Sequence, residues 1–227
     1  MPKNNEYCFE LYQKEKREKY LYSTGNNGAD VYAKNIKLDE NGSTFTVVTK
    51  EESFECTTKL LGSHNVENII GCIAIAKHLG LTKEQIINGV AKIEPIPHRL
   101  QILPTNNGTI VIDDAFNSNP VGSKMALDVL GKFSGRKIII TPGMVELGEE
   151  EYELNKEFGK HMAEKVDIAI LVGVKRSEPI EKGLKEKKFN ELNIYVVNTL
   201  EEATQTLAKL TQKGDVVLFE NDLPDNY

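Results

Sequence analysis

The stretch Thr109–Pro120, "TIVIDDAFNSNP", decides how the second half of this 227-residue chain is read. Thr109–Ile112 is an apolar, β-branched run with no polar face, the pattern of a strand covered on both sides. Two adjacent carboxylates, Asp113 and Asp114, follow it, and then Asn117, Ser118 and Asn119. Asn119 suits a helix N-cap and Pro120 the first helical position. Polar residues therefore collect where a buried strand surfaces and turns into a helix.

Outward from that corner, strand and helix alternate. Strands are expected at 109–112, 137–141, 168–172, 194–197 and 216–219, and helices at 121–132, 150–164, 178–187 and 200–210. Runs as apolar as "KIIIT", "IAILV" and "VVLF" imply an α/β fold with a mostly parallel sheet and helices on each face. The first part of the chain differs. Strand-like runs at 31–38, 44–50 and 54–59 are separated by "DENG" and "KEES", which suit hairpin turns. A helix is expected from Asn65 to Gly80, burying Val66, Ile69, Ile70, Ile73, Ala74 and Ala76, and Thr82 with Gln85 fits a capping box for a second helix. The linker "EPIPHR" (Glu94–Arg99) divides the chain into an α+β part, 1–95, and an α/β part, 96–227.

Composition narrows the function classes. A hydrophobic content of 40% with 27% charged residues is ordinary for a globular protein. The formal charge of -6 argues against a broad nucleic-acid-binding face, while leaving room for a local basic pocket. Cys8, Cys56 and Cys72 are too few and too scattered for a disulfide framework or a zinc site, and they read as packing residues of a reducing compartment. No apolar run approaches the ~20 residues that span a bilayer, and "MPKNNEYCFE" lacks the apolar core of a signal peptide. A cytoplasmic protein without membrane insertion is expected.

In an open parallel sheet, ligands bind outside the carboxyl ends of the strands. The segments following the expected strands, "DDAFNSNP", "PGMVELGEE" and "ENDLPDNY", fall on that one edge and are dense in Gly, Asn, Asp and Glu. Asp113 and Asp114 could hold ribose hydroxyls, bind a metal, or cap a turn. Asn119 fits a cap better than a ligand group. Glu146 lies near a loop apex facing the same crevice, whereas Glu149–Glu151 fit an acidic first turn favoured by the helix dipole. Asn65 and Asn68, at i and i+3, could pair with an adenine edge; alternatively Asn65 caps the helix. Arg99 could reach a phosphate or form a surface ion pair. No GxxxxGK[ST] loop, GxGxxG turn, GxSxG elbow or metal-spaced His/Cys set is present.

"GSHNVENIIGCIAIAKHLGL", "PHRLQ", "VIDDAFNSNPVGSKMALDVL", "TPGMVELGEEE" and "ENDLPDNY" together resemble the Mur ligases, from about Asn4 to the last residue. The "DDAFNSNP" and "MVELGE" pair resembles most the branch that adds D-alanyl-D-alanine to UDP-N-acetylmuramoyl-tripeptide. The resemblance implies that 1–95 is the end of a central ATP-binding domain and 96–227 a Rossmann-like C-terminal domain that receives the incoming dipeptide. It implies ATP and Mg2+ as cofactors, with UDP-N-acetylmuramoyl-tripeptide and D-alanyl-D-alanine as substrates of the complete enzyme.

Residue by residue, the resemblance assigns Asn65 and Asn68 to adenine, Arg99 to the ATP phosphates and Asp114 to the ribose. It places Asn117, Ser118 and Asn119 in the loop facing ATP and dipeptide, and Glu146 beside the closed site. Phe116 stands where many relatives have Tyr. The family's phosphate loop, carbamylated lysine and magnesium-binding Glu and His have no counterpart in this sequence, so the chain alone is expected to be inactive. A non-catalytic nucleotide- or dipeptide-binding module descended from such a ligase is the alternative.

Overall fold

The computed structural model describes residues 1–25, 28–39 and 41–221, and the chain separates into two compact units, Met1–Pro95 and Ile96–Tyr227. Glu40 of the "DENG" turn and residues 222–227 of the closing motif lie outside the described residues.

The first unit contains α1 (Glu6–Lys14), β1 (Tyr22–Thr24), β2 (Val31–Asp39), β3 (Gly42–Val48), β4 (Ser53–Thr58), α2 (Ser63–His78) and α3 (Lys83–Ala91). The strands form one sheet in the order β1-β2-β3-β4, with β1 parallel to β2 and the other pairs antiparallel. Period-two alternation buries Val31, Ala33, Phe45, Val47, Phe54 and Cys56, and they pack in one core with Val66, Ile69, Ile70, Ile73 and Ala74 of α2. Ile86 and Val90 of α3 complete it.

The Thr82–Gln85 capping box is present: Gln85 N–H donates to Thr82 Oγ1 at 3.3 Å and Thr82 N–H to Gln85 Oε1 at 2.9 Å. Two expectations are corrected, and one further element, α1, is not among those expected from the sequence. Helix α2 starts at Ser63 with Gly62 as its N-cap, so Asn65 sits inside the first turn and is not the cap. Cys72 is exposed on α2 and Cys8 half-buried, leaving only Cys56 as a buried packing residue. Helix α1 buries none of its residues fully; Cys8, Phe9 and Tyr12, at helical spacing, are half-buried.

The second unit contains β5 (Gln101–Leu103), β6 (Ile110–Asp114), α4 (Pro120–Leu130), β7 (Lys137–Thr141), α5 (Glu151–Met162), β8 (Ile168–Val172), α6 (Val174–Glu186), β9 (Ile194–Val197), α7 (Leu200–Leu210) and β10 (Val216–Glu220). The sheet order is β5-β6-β10-β7-β8-β9, parallel throughout except for β5, which pairs antiparallel with β6. The last strand in sequence is thus wedged between the two that precede and follow α4.

Connections β6 to β9 all advance one way and the return to β10 runs the other way. Right-handed crossovers then place α4, α5 and α6 on one face and α7 on the other. Accordingly, Ile138 and Ile140 pack with Ala203 and Leu207 of α7. Ile139, at the alternate position between them, is also fully buried.

Several boundaries differ from expectation by one to four residues, and two of them change how a residue is read. Strand β6 continues through both carboxylates, because Asp113 and Asp114 pair in register with Phe219 and Glu220 of β10. Helix α6 begins at Val174, so Pro179 lies inside it rather than near its start.

Helices α5 and α6 touch backbone to backbone through reciprocal glycines. A Cβ added at Gly159 would lie 2.2 Å from Ile180 O, and one at Gly183 would lie 2.1 Å from Lys156 O. Gly183→Ala must therefore push the helices apart and should destabilise the second unit by about 2–3 kcal/mol. Gly89→Ala, in α3 with nothing within 4 Å of the added methyl, should stabilise the first unit by about 0.5–1 kcal/mol. Residue-resolved amide exchange measures both, and equal effects of opposite expectation at the two sites would refute the close-packing account.

Candidate functional site

The carboxyl ends of β6, β10 and β7 meet because β10 lies between its two neighbours. Glu220 closes β10 with a fully buried side chain. Its carboxylate accepts a short hydrogen bond from Ser118 Oγ and another, at 2.9 Å, from Thr141 Oγ1. Burial pushes the Glu220 carboxyl up to about 7, against the two hydroxyl donors that favour the charged form, and the nearby Asp114 charge adds to the rise.

Asn221 extends the same junction. Its N–H donates to Asp114 O at 3.1 Å, its Oδ1 accepts Ser118 N–H at 3.1 Å, and its Nδ2 donates to Gly143 O at 2.6 Å. The end of β10 therefore ties the loop after β6 to the loop after β7. Asn155 of α5 fixes the second loop from behind: Oδ1 accepts Met144 N–H at 2.8 Å and Nδ2 donates to Met144 O at 2.9 Å. Glu146 is exposed in that anchored loop, with a left-handed backbone (φ 63). Non-glycine residues held there store of order 1–3 kcal/mol each, and such strain clusters at functional sites.

The two carboxylates of β6 serve different neighbours. Asp113 Oδ2 lies 2.8 Å from His98 Nδ1, and its Oδ1 accepts Ala115 N–H at 3.1 Å. Asp114 Oδ1 accepts Leu100 N–H at 3.0 Å. Burial raises the Asp114 carboxyl above its ordinary range, opposed by the Leu100 N–H and the Arg99 charge and reinforced by Asp113. Arg99 stacks on Phe116, its guanidinium carbon 4.3 Å from the ring centroid.

The remaining sequence-nominated residues are placed as follows. Asn119 caps α4, its Oδ1 accepting Val121 N–H at 3.1 Å and Gly122 N–H at 2.9 Å, and Pro120 is the first helical residue. Asn117 is exposed beside it, while the Ser118 hydroxyl is engaged by Glu220. In the first unit, Asn65 Nδ2 donates to Leu61 O at 2.8 Å and Asn68 is exposed one turn on. The half-buried His64 has its imidazole held below the ordinary range by burial.

Sequence reasoning did not single out Thr141, Glu220, Asn221 or His98. The only available signal was the carboxylate and amide placed directly after the most apolar part of the last strand. Among the described residues no three His, Cys, Asp or Glu side chains converge as a metal site. No step through a metal is assigned to these residues.

The family described as "Mur ligase, glutamate ligase domain" matches residues 98–220, and "Mur ligase middle domain" matches residues 2–76. The chain belongs to the Mur ligase family. Among Mur ligases, it is 27% identical over 202 residues to the UDP-N-acetylmuramoyl-tripeptide--D-alanyl-D-alanine ligase of Bacillus subtilis, covering 88% of this chain and 43% of that protein. The crystal structure of MurF from Acinetobacter baumannii superposes with a TM-score of 0.80 at 24% identity, over 97% of this chain and 47% of that one. MurF of Thermotoga maritima, solved in complex with ADP, gives a TM-score of 0.77 at 21% identity, over 96% of this chain and 48% of that one. Ligases that add L-alanine or D-glutamate are matched as well. The chain thus spans less than half the length of these Mur ligases.

A carboxyl raised from 4.5 to about 7 sets a sign for pH dependence. The unfolded chain releases this proton first, so the contribution is complete below the unfolded value and is lost as pH rises towards 7. The loss attributable to Glu220 is on the order of 3 kcal/mol. Glu220→Gln should remove that slope, gaining stability relative to the wild type between about pH 5 and about pH 8. Amide exchange of β7 and β10 at the two pH values checks it; parallel behaviour of the two proteins would contradict the buried-acid account.

Proposed function

We propose that this chain is the part of an ATP-dependent ligase that holds the nucleoside and presents D-alanyl-D-alanine, in an enzyme joining that dipeptide to UDP-N-acetylmuramoyl-tripeptide in peptidoglycan synthesis. The carrying observation is the polar junction at the ends of β6, β10 and β7, on the sheet edge where α/β folds take ligands. The D-alanyl-D-alanine ligases among the relatives support the choice of acceptor. In this reading Asn65 and Asn68 meet the adenine edge, Asp114 the ribose hydroxyls and Arg99 the phosphates. Asn117, Ser118, Asn119 and Glu146 border the space for ATP and the incoming dipeptide. Asp114 fits its role: one carboxylate oxygen is taken by Leu100 N–H and the other has no hydrogen-bond partner among the described residues.

The chemistry follows from the groups joined. A tripeptide carboxylate oxygen attacks the γ-phosphorus of ATP, releasing ADP and leaving an acyl phosphate. The dipeptide amine then attacks the acyl carbon, expelling inorganic phosphate and losing a proton. Two anions must approach in the first step, so a fixed cation such as Arg99 lowers its barrier by offsetting charge. Alignment of the amine in the second step is a matter of position. A cytoplasmic location follows from the use of ATP and a nucleotide-linked precursor. Among the described residues no helix is long and apolar enough to cross a membrane.

The test uses the whole protein that carries this chain. ADP release is expected with ATP, UDP-N-acetylmuramoyl-tripeptide and D-alanyl-D-alanine, and not when L-alanine or D-glutamate replaces the dipeptide. Asp114→Ala should lower kcat/KM for ATP by about 10- to 100-fold, the worth of hydrogen bonds to a charged group. Calorimetry on the 227-residue chain itself adds a second arm. Dipeptide binding without tight nucleotide binding agrees with the ligase reading; tight nucleotide binding lost in Asp114→Ala favours the non-catalytic binding module.

A further inference from the structure

We infer that the paired carboxylates Asp113 and Asp114 form a two-point clamp that fixes Arg99, with His98 as a positioning residue gripped by one arm of it. The inference rests on the reading of Arg99 as the phosphate-facing cation, but its geometry stands separately.

The backbone on each side of Arg99 is left-handed. His98 has φ 61 and Leu100 has φ 46, a conformation that glycine takes readily and side-chain-bearing residues rarely adopt. Neither residue is glycine, so the turn must be held from outside. Within the turn Arg99 N–H donates to Ile96 O at 3.1 Å; the holds on the two left-handed residues come from the β6 corner. His98 Nδ1 meets Asp113 Oδ2 at 2.8 Å, and Leu100 N–H donates to Asp114 Oδ1 at 3.0 Å. His98 O accepts Phe116 N–H at 3.2 Å.

Adjacent strand residues project to opposite faces of a sheet. Asp113 and Asp114, on opposite faces at the end of β6, hold the turn that leads into β5, one gripping the residue before Arg99 and the other the residue after it. Asp113 is itself braced by Ala115 N–H and has a side chain only 11% exposed. Between the two holds, the Arg99 guanidinium rests on the Phe116 ring and forms no ion pair among the described residues. Its charge still acts on Asp114, but its guanidinium is held by stacking on the ring and not by contact with a carboxylate. An arginine prepared this way presents its donors to an incoming anion with little freedom left to lose.

The experiment reads Arg99 directly in the 227-residue chain. Stacking on Phe116 should shift the Arg99 side-chain proton resonances upfield, with Phe116→Leu as the reference that abolishes the shift. His98→Gly keeps the left-handed backbone free of strain and deletes the imidazole. It should lose most of the upfield shift without loss of thermal stability. Asp113→Asn, which retains an acceptor oxygen, should keep the shift, and combining His98→Gly with Asp113→Ala should lose no more than either alone. An unchanged shift in His98→Gly, or additive losses in the pair, overturns the clamp.

In the complete enzyme, His98→Gly should raise KM for ATP by about 10-fold and have no further effect in an Arg99→Ala background. If Arg99→Ala leaves that KM unchanged while the resonance shifts behave as stated, the phosphate reading of Arg99 fails and the clamp stands. If Arg99→Ala raises KM but His98→Gly leaves the resonances untouched, the clamp fails and the phosphate reading stands.

Discussion

The buried carboxylate of Glu220 is the constraint on which the candidate site depends. Taking a carboxyl group fully out of water is costly unless donors meet it, and here the donors are Ser118 of the loop after β6 and Thr141 at the end of β7, whose hydroxyl also accepts Gly143 N–H of the next loop. The loops are thereby held in a fixed relation by a group whose own burial demands the contacts. Asn221 repeats the logic with an amide, satisfying Ser118 N–H on one side and Gly143 O on the other. Neither residue need touch a ligand to decide where ligand-facing groups sit.

On the other side of β6 the roles are reversed. There the strand supplies the carboxylates, and the chain entering the unit supplies the groups they hold. An acidic pair that looked like a ligand set thus has three of its four oxygens already taken by the protein. Asp114 leaves one oxygen without a hydrogen-bond partner among the described residues, and Asp113 spends both on His98 and Ala115. The number of carboxylates at a strand end overstates the number available for binding.

Much of the fold was legible because its signals are local. The doubly covered strands β7, β8 and β10 announce themselves by unbroken apolar runs, and the buried face of α2 by its helical spacing. The capping box at Thr82 and the Asn119–Pro120 helix start are short-range chemistry and were read directly. What escaped was non-local or featureless. Strands β1 and β5 have three residues each and exist only through their partners. The polar end of β6 is a strand because β10 pairs with it, which no pattern within 109–114 reveals. Glu220 finds Ser118 and Thr141 across 102 and 79 positions of sequence. Nothing in "PHRL" marks two left-handed residues, because the residue that usually signals that backbone, glycine, is absent there.

The position of β10 has a consequence for the order in which the molecule is made. Strands β6 and β7 pair with β10 and not with each other. A chain emerging residue by residue therefore holds both strands with an open hydrogen-bonding edge until the final strand arrives, and unpaired edges recruit other chains. During that interval the loops that later face one another have nothing to join them. The pairs β5–β6 and β7–β8–β9 can form beforehand, but the two halves of the sheet and the two loops of the candidate site are joined in one event, the arrival of β10.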